Sequence, residues 1–298
     1  MVGYRTIDRR LISIRAGSIE YRDTGQGRPV VFVHGAFVNG ALWDDVVFYL
    51  PFGLRLLRLD LPLGAHRLPA AEAADLSSFG MACLLLDFIE ALDLRGVTLV
   101  ANGEGCSICH LASGSDDQRA DRIDGMLLTN CDPAGSLGHW RQFGTTMDSD
   151  GLERLARMLS TSEGRRAFFE PLVWAVPPDE QLRDLMGGFL YDAAIRFDVL
   201  RASREATGTD VSASSFDGPV RVVWGVEDSL FPPEVGRRFA QGFPDCPLQT
   251  VEQARLLLPL DQPETLAVAL LDLMEQIHPH HLHNDSNAER TARKGGGA

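Results

Sequence analysis

The stretch VTLVANGEGCSICHL, Val97 to Leu111, decides how the rest of the chain is read. Val97–Ala101 is a compact apolar run of the kind found in a strand buried on both faces. A cramped turn follows, in which Gly103 and Gly105 flank Glu104, and a helical pattern begins at once. Glycines there let the backbone turn tightly and approach its neighbours closely.

Working outward, other segments of the same kind appear. VVFVHG (Val30 to Gly35) and LRLLRLDL (Leu54 to Leu61) read as buried strands, as do Met126–Cys131 and Val220–Trp224. Gln249–Val251 is a last short strand candidate. Residues 11–23, LISIRAGSIEYRD, alternate apolar and polar around Gly17-Ser18, which predicts a β-hairpin. Ser77 caps a helix predicted to run to Leu92, with Met81, Leu84, Leu85, Phe88 and Leu92 on one face, and Glu264–Ile277 closes the fold. Strands alternating with helices predict an α/β architecture: a mostly parallel sheet flanked by helices.

From Asp132 to Gly218 the character changes. Helical patterns at Leu152–Leu159, Gln181–Leu190 and Asp192–Leu200 stand there without a convincing strand. The segment lies between two sheet strands, so it reads as a helical insertion covering the sheet's carboxyl edge. The expected organisation is a core of residues 1–132 and 219–278, a helical cap over 133–218 and a disordered polar tail over 279–298. The tail region's His278, His280, His281 and His283 read as solvated residues before they read as metal ligands.

Composition narrows the partners. With 41 acidic against 28 basic side chains the formal charge is −13, which argues against nucleic acid or an anionic membrane. The only lysine is Lys294. Five cysteines (Cys83, Cys106, Cys109, Cys131 and Cys246) show no paired CxxC metal spacing and read as buried free thiols of a reducing compartment. No secretory h-region and no membrane-length apolar run is visible, so a cytoplasmic location is expected. No GxGxxG follows a first strand and there is no Walker lysine, so neither cofactor nor metal is expected.

The order of motifs resembles the α/β-hydrolase superfamily, in its capped branch of haloalkane dehalogenases and epoxide hydrolases, over roughly residues 15–277. Four motifs carry the resemblance: VHGAF (Val33 to Phe37) with Trp43, LDLP (Leu59 to Pro62), the elbow ANGEG (Ala101 to Gly105), and WGVED (Trp224 to Asp228) with LPLDQPE (Leu258 to Glu264). The family's elbow, G-x-nucleophile-x-G, pushes a Ser or Asp into the pocket. Aligned on it, the nucleophile position is Gly103 and the histidine position is Leu256. A shifted register would make Ser107 the nucleophile, but the strand would then end four residues too early.

The resemblance assigns the acid to Asp228, an alternative acid to Asp132, and the oxyanion-hole N–H groups to Ala36 and Glu104. It implies a pocket lined by Phe37, Glu104, Trp140, Phe231 and Leu256, with Gly103 at its floor. His34 is expected to brace the oxyanion loop. Glu104 brings a further carboxylate toward Asp132 and Asp228, and crowding of this kind raises a carboxyl pKa into the range of a general acid or base. The plainer alternative has Arg255 or Arg221 neutralising the acids, or Glu104 turned outward to cap its own helix.

Without nucleophile and base a triad enzyme loses about a millionfold in turnover. Two readings therefore remain open. One is an enzyme of the superfamily working by carboxylate acid/base chemistry, namely elimination, isomerisation, cyclisation or non-covalent hydrolysis, on a small apolar carbonyl compound, with Glu104, Asp228 and Asp132 as candidate groups. The other is an inactive relative that binds a small apolar ligand. They part on whether Glu104 and Asp228 are already engaged by protein donors.

Overall fold

The structure is a computed structural model and describes residues 8–15, 17–131, 148–205 and 215–278. Strands β1 (Asp8–Ile14) and β2 (Gly17–Gly25) form the hairpin expected from their alternation, pairing Ile14 with Gly17. Then come β3 (Arg28–Val33), α1 (Asp44–Tyr49), β4 (Leu54–Leu59), α2 (Ser78–Ala91), β5 (Val97–Gly103), α3 (Glu104–Ser113) and β6 (Ile123–Cys131). Helices α4 (Ser149–Leu159), α5 (Ser162–Phe169), α6 (Asp179–Leu185), α7 (Gly187–Tyr191) and α8 (Ala193–Glu205) fill the stretch before β7 (Val220–Gly225). The chain closes with α9 (Pro233–Ala240), β8 (Leu248–Val251), α10 (Leu258–Asp261) and α11 (Pro263–Ile277).

The strands make one eight-stranded sheet in the order β1-β2-β4-β3-β5-β6-β7-β8. β2 runs antiparallel to both its neighbours, β1 and β4, and every other pairing, from β4–β3 through β7–β8, is parallel. All seven β5 residues are buried, Thr98 and Asn102 included, as expected of a strand covered on both faces. The expected α/β fold is what forms. The chain winds from β3 to β4 on one side and then returns to β5 on the other side of β3. Such a reversal leaves a crevice at the strands' carboxyl ends, where ligands of open α/β sheets bind. The loop after β3 and the turn after β5 meet there.

Details differ from the sequence reading for local reasons. The expected helix over 181–190 is two helices, broken at Met186 between α6 and α7. Helix α5 was not expected, although Thr161 caps it by accepting from Gly164 N–H. Ser77 does cap α2, accepting from Gly80 N–H. No helix among the described residues is long and apolar enough to cross a membrane. The tail expected over 279–298 lies outside the described residues.

Asp60, at the end of β4, shows how tightly this edge is built. Its Oδ1 accepts from Gly40 N–H at 2.9 Å, while the buried Oδ2 has no hydrogen-bond partner among the described residues. Burial pushes its carboxyl up to about 6 from 3.8. A raised carboxyl takes up a proton on folding, so the ionised form destabilises the fold above pH 6, and stability is gained as pH falls from about 6 to about 4. Asp60→Asn is therefore expected to raise stability at pH 7.5 by up to about 3 kcal/mol and to change nothing at pH 4. Urea denaturation at the two pH values checks this; a loss of stability at pH 7.5 would mean that the ionised carboxylate is stabilising.

Candidate functional site at the strand-helix elbow

The elbow forms as the sequence suggests, but the strand runs two residues further, through Gly103. Gly103 has φ 59° and ψ −127°, a strained turn conformation that side-chain-bearing residues rarely adopt, and α3 starts immediately after it. A Cβ built on Gly103 would meet only the Gly35 Cα, at 3.5 Å, so the space for a side chain is intact. Gly105 is different: its Cβ would lie 2.6 Å from the Val33 carbonyl and 2.8 Å from that of His34. The loop after β3 thus presses onto the first turn of α3, and only glycine fits between them. Ser107 is wholly buried inside α3 and is not at the tip of the turn.

Glu104 turns inward. Its Oε2 accepts from Ala36 N–H at 2.8 Å, and the side chain is buried. The carboxylate also sits in the first turn of α3, where the helix dipole favours negative charge. The N–H of Ala36, expected to stabilise a substrate oxyanion, is therefore engaged by the protein's own carboxyl group.

Asn102 ties this turn to its surroundings. Its Nδ2 donates to the Thr129 carbonyl and to the Leu256 carbonyl, at 3.1 and 2.8 Å. That bond brings Leu256, on the loop before α10, over the elbow. Gly35, Ala36, Gly103, Glu104, Phe168 and Leu256 line a small cavity of about 10 Å³ there. A cavity of that size holds about one water molecule.

Asp228, in the turn after β7, is buried and already satisfied. Its Oδ1 accepts from Leu230 N–H (2.9 Å) and Phe231 N–H (3.1 Å), and its Oδ2 from Asn130 Nδ2 (2.8 Å). Asn130 itself takes a positive φ of 41° and accepts from Gly225 N–H, which fixes it beside the carboxylate. The arginines weighed as neutralising partners go elsewhere: Arg221 pairs with Asp272 and Arg255 donates to the Glu170 carbonyl. Backbone and amide donors do that work instead.

Several expected pocket residues stand apart from this cavity. His34 faces the loops: its Nδ1–H donates to the Gly35 carbonyl at 2.7 Å, and Leu61 N–H donates to its Nε2 at 2.9 Å. Burial pulls its pKa down to about 4, so the ring is neutral and braces the loop after β3. Phe37 packs edge-on against Phe168 and Phe189 in the apolar core and does not line the cavity. Phe231 is also absent from the lining; its carbonyl accepts from Trp224 Nε1 and its N–H serves Asp228. Asp132 and Trp140 lie outside the described residues. Val38, Phe168, Leu172 and Leu257 line the cavity without having been expected there. Phe168 and Leu172 come from the α5 region, which the sequence pattern did not reveal.

The cysteine reading needs correction. Cys106 and Cys131 form a disulfide, with Cα atoms 5.5 Å apart. The cause is local: β5 and β6 are neighbours with Gly103 opposite Cys131, so the first turn of α3 returns above the end of β6. Cys109, the CxxC partner of Cys106 in the sequence, is a buried free thiol whose pKa is pushed up by burial. Alkylation of the denatured chain without reductant is expected to label three thiols, Cys83, Cys109 and Cys246, and five after reduction. Five labelled thiols without reductant would refute the bond.

The comparisons with known proteins agree with this fold. The alpha/beta hydrolase family profile matches residues 30–269. Haloalkane dehalogenase 2 of Mycobacterium tuberculosis is 24% identical over 273 residues, covering 86% of this chain and 91% of that protein. A stretch of 88 residues is 42% identical to the non-heme chloroperoxidase CPO-A1 of Kitasatospora aureofaciens, covering 29% of this chain and only 31% of that protein. Among solved structures, a thermophilic esterase from Thermogutta terrifontis superposes with a TM-score of 0.66 at 20% identity, covering 91% of this chain and 99% of the esterase. A carboxylesterase of Bacillus subtilis gives 0.70 at 15% identity, covering 90% and 92%. An eight-stranded sheet with a sharp elbow after β5, together with a family match over most of its length, makes the conclusion plain: the chain belongs to the alpha/beta hydrolase family.

Proposed function

We propose that this protein has left the family's covalent hydrolysis and acts as a non-hydrolytic relative that binds a small apolar ligand beneath a helical cap formed by residues 133–218. One observation carries the reading: the Glu104 carboxylate holds the Ala36 N–H. A carboxyl oxygen in that position occupies the donor that the oxyanion of a tetrahedral intermediate would need. Gly103 supplies no nucleophile and Leu256 no base, and the donors on Asp228 are structural. The apolar side chains of Val38, Phe168, Leu172, Leu256 and Leu257 give the site its ligand preference, and because the cavity is water-sized as it stands, a ligand enters only as the Phe168 and Leu172 side chains give way.

A second reading is favoured by one feature, the water-sized cavity in contact with both Gly103 and Glu104. There the carboxylate acts as a general base on a bound water, or moves a proton on a carbonyl substrate. Such a group contributes about a hundred- to ten-thousandfold.

The experiment is a panel of esters and haloalkanes with a fluorophosphonate probe, run beside binding of small apolar carbonyl compounds in the parent and in Glu104→Gln. The binding reading expects no turnover, no labelling, and ligand binding that survives the substitution. Turnover that disappears in Glu104→Gln would replace it with the acid/base reading. Fluorophosphonate labelling of the parent would overturn both.

A further inference from the structure

A second concavity lies away from the elbow. It is a groove of about 440 Å³ between Arg67, on the loop after β4, and the α6–α7 region. That volume is within the usual range for small-molecule sites, about 300–1,000 Å³, and the groove shares no lining residue with the cavity at Gly103.

Its inner wall is a fixed guanidinium. Arg67 Nη2 donates to Asp184 Oδ1 at 2.6 Å, and Asp184 is in turn held by the buried Arg22, at 3.3 Å. The flat face of the guanidinium covers Gly187: a Cβ there would lie 3.6 Å from its Cζ, Nη1 and Nη2 alike. Gly188 admits no side chain, since its Cβ would fall 1.7 Å from the His66 carbonyl, so the floor is bare backbone pressed against the loop. Arg67 Nη1 has no acceptor among the described residues, while the buried Nε points toward Glu20 and Asp60, at 3.7 and 4.0 Å, behind the groove. One donor, Nη1, is thus left for a ligand.

The outer lip has the opposite character. Glu180 is exposed and has no ion pair or hydrogen bond among the described residues. Asp192 uses its Oδ1 to cap α8 through Ala194 N–H, leaving its Oδ2 for another donor. Tyr191, on the same lining, is 74% exposed, far more than an aromatic ring with a packing role. The lining thus offers a guanidinium N–H on Arg67, the carboxylates of Glu180 and Asp192 and the exposed Tyr191 ring, with Arg183 beside them paired to Asp179; these match three features of one molecule.

We infer that this groove is a binding site for a small zwitterion carrying an apolar group, such as a free aromatic α-amino acid. Its carboxylate meets Arg67 Nη1, a charge-assisted bond to a preorganised fork. Its ammonium lies toward Glu180 and Asp192, and its side chain covers Tyr191. The immobilised Arg67 keeps the ordering cost low.

Titration calorimetry with three probes tests the inference: L-phenylalanine, 3-phenylpropionate, which lacks the ammonium, and 2-phenylethylamine, which lacks the carboxylate. Phenylalanine is expected to bind at least tenfold more tightly than either analogue. Glu180→Gln, on an exposed side chain, should erase its advantage over phenylpropionate, and Arg67→Lys, which keeps the charge beside Asp184, should erase its advantage over phenylethylamine. Neither Arg67 nor Glu180 lines the cavity at Gly103, so the loss of preference in these two variants separates this site from the elbow. Equal affinities for the three probes, no heat from any of them, or a preference that survives both substitutions would overturn the inference.

Discussion

The triple variant Gly103→Ser, Leu256→His, Glu104→Ala is expected to hydrolyse small activated esters at least a thousandfold faster than the parent and to be labelled by a fluorophosphonate. Each substitution answers one observed obstacle. The Gly103 backbone already has the strained elbow conformation, and a Cβ there meets nothing closer than 3.5 Å, so the serine is accommodated at a backbone cost of about 1–3 kcal/mol. Leu256 lines the same cavity as Gly103, so an imidazole at that position faces the new hydroxyl. Removing the Glu104 carboxylate releases Ala36 N–H and enlarges a space that otherwise holds about one water. One oxyanion donor contributes about a hundred- to a thousandfold, so the double variant that keeps Glu104 should remain nearly silent. Single variants should be silent too, because nucleophile and base act as a unit. Initial rates on p-nitrophenyl acetate across the seven variants check the scheme. A folded but inert triple variant would show that the elbow is no longer a competent frame, and an active Gly103→Ser alone would show that a base other than residue 256 serves the site.

The frame was legible because it is written in local pattern. Val97–Ala101 could only be a buried strand, and glycine at 105 is forced by carbonyls 2.6 and 2.8 Å from its Cβ position. The role of His34 was legible for the same reason, since it sits inside one of the family's loop motifs. What escaped depends on partners distant in sequence. The inward turn of Glu104 is decided by a backbone N–H 68 residues away, and the Cys106–Cys131 bond by the register of β5 on β6. Neither leaves a periodic trace. Phe168 and Leu172 reach the cavity from a segment with no strand to mark its place, so the residues over the elbow could not be named. Free energies of single contacts are small beside those of whole elements, and sequence pattern reports the elements.

Arginines on two sheet strands were equally hidden, and they set the other large effect: Asp44→Ala is expected to cost about 3 kcal/mol of stability. In β2 and β4, Arg22 and Arg58 occupy positions that alternation alone would leave to solvent, yet each side chain is only 1% exposed. Both converge on Asp44 at the start of α1, Arg22 at 2.7 Å and Arg58 at 2.5 Å, and Arg58 also donates to Thr24 Oγ1 at 2.7 Å. Burial works against the Arg22 charge, and Asp44, with Asp60 and Asp184, more than restores it. Losing one partner of a buried pair typically costs about 3–5 kcal/mol, because the remaining charge cannot return to water. Here the lower end applies, since Arg22 keeps Asp184 and the Asp44 side chain is 32% exposed. For a chain of this size that is a fall in melting temperature of roughly 6–12 °C, read by calorimetry. Asp44→Asn, which keeps an acceptor but not the charge, should fall between the two. The consequence reaches beyond stability, because Arg22 is also the link from the sheet to Asp184 in α6. Without Asp44, Arg22 shifts toward its remaining carboxylate, Asp184, and strains α6, so the 179–191 region should be cut faster by protease in Asp44→Ala than in a variant of equal stability altered at Trp224. Equal cleavage in the two would confine the role of Asp44 to neutralising the sheet's buried arginines.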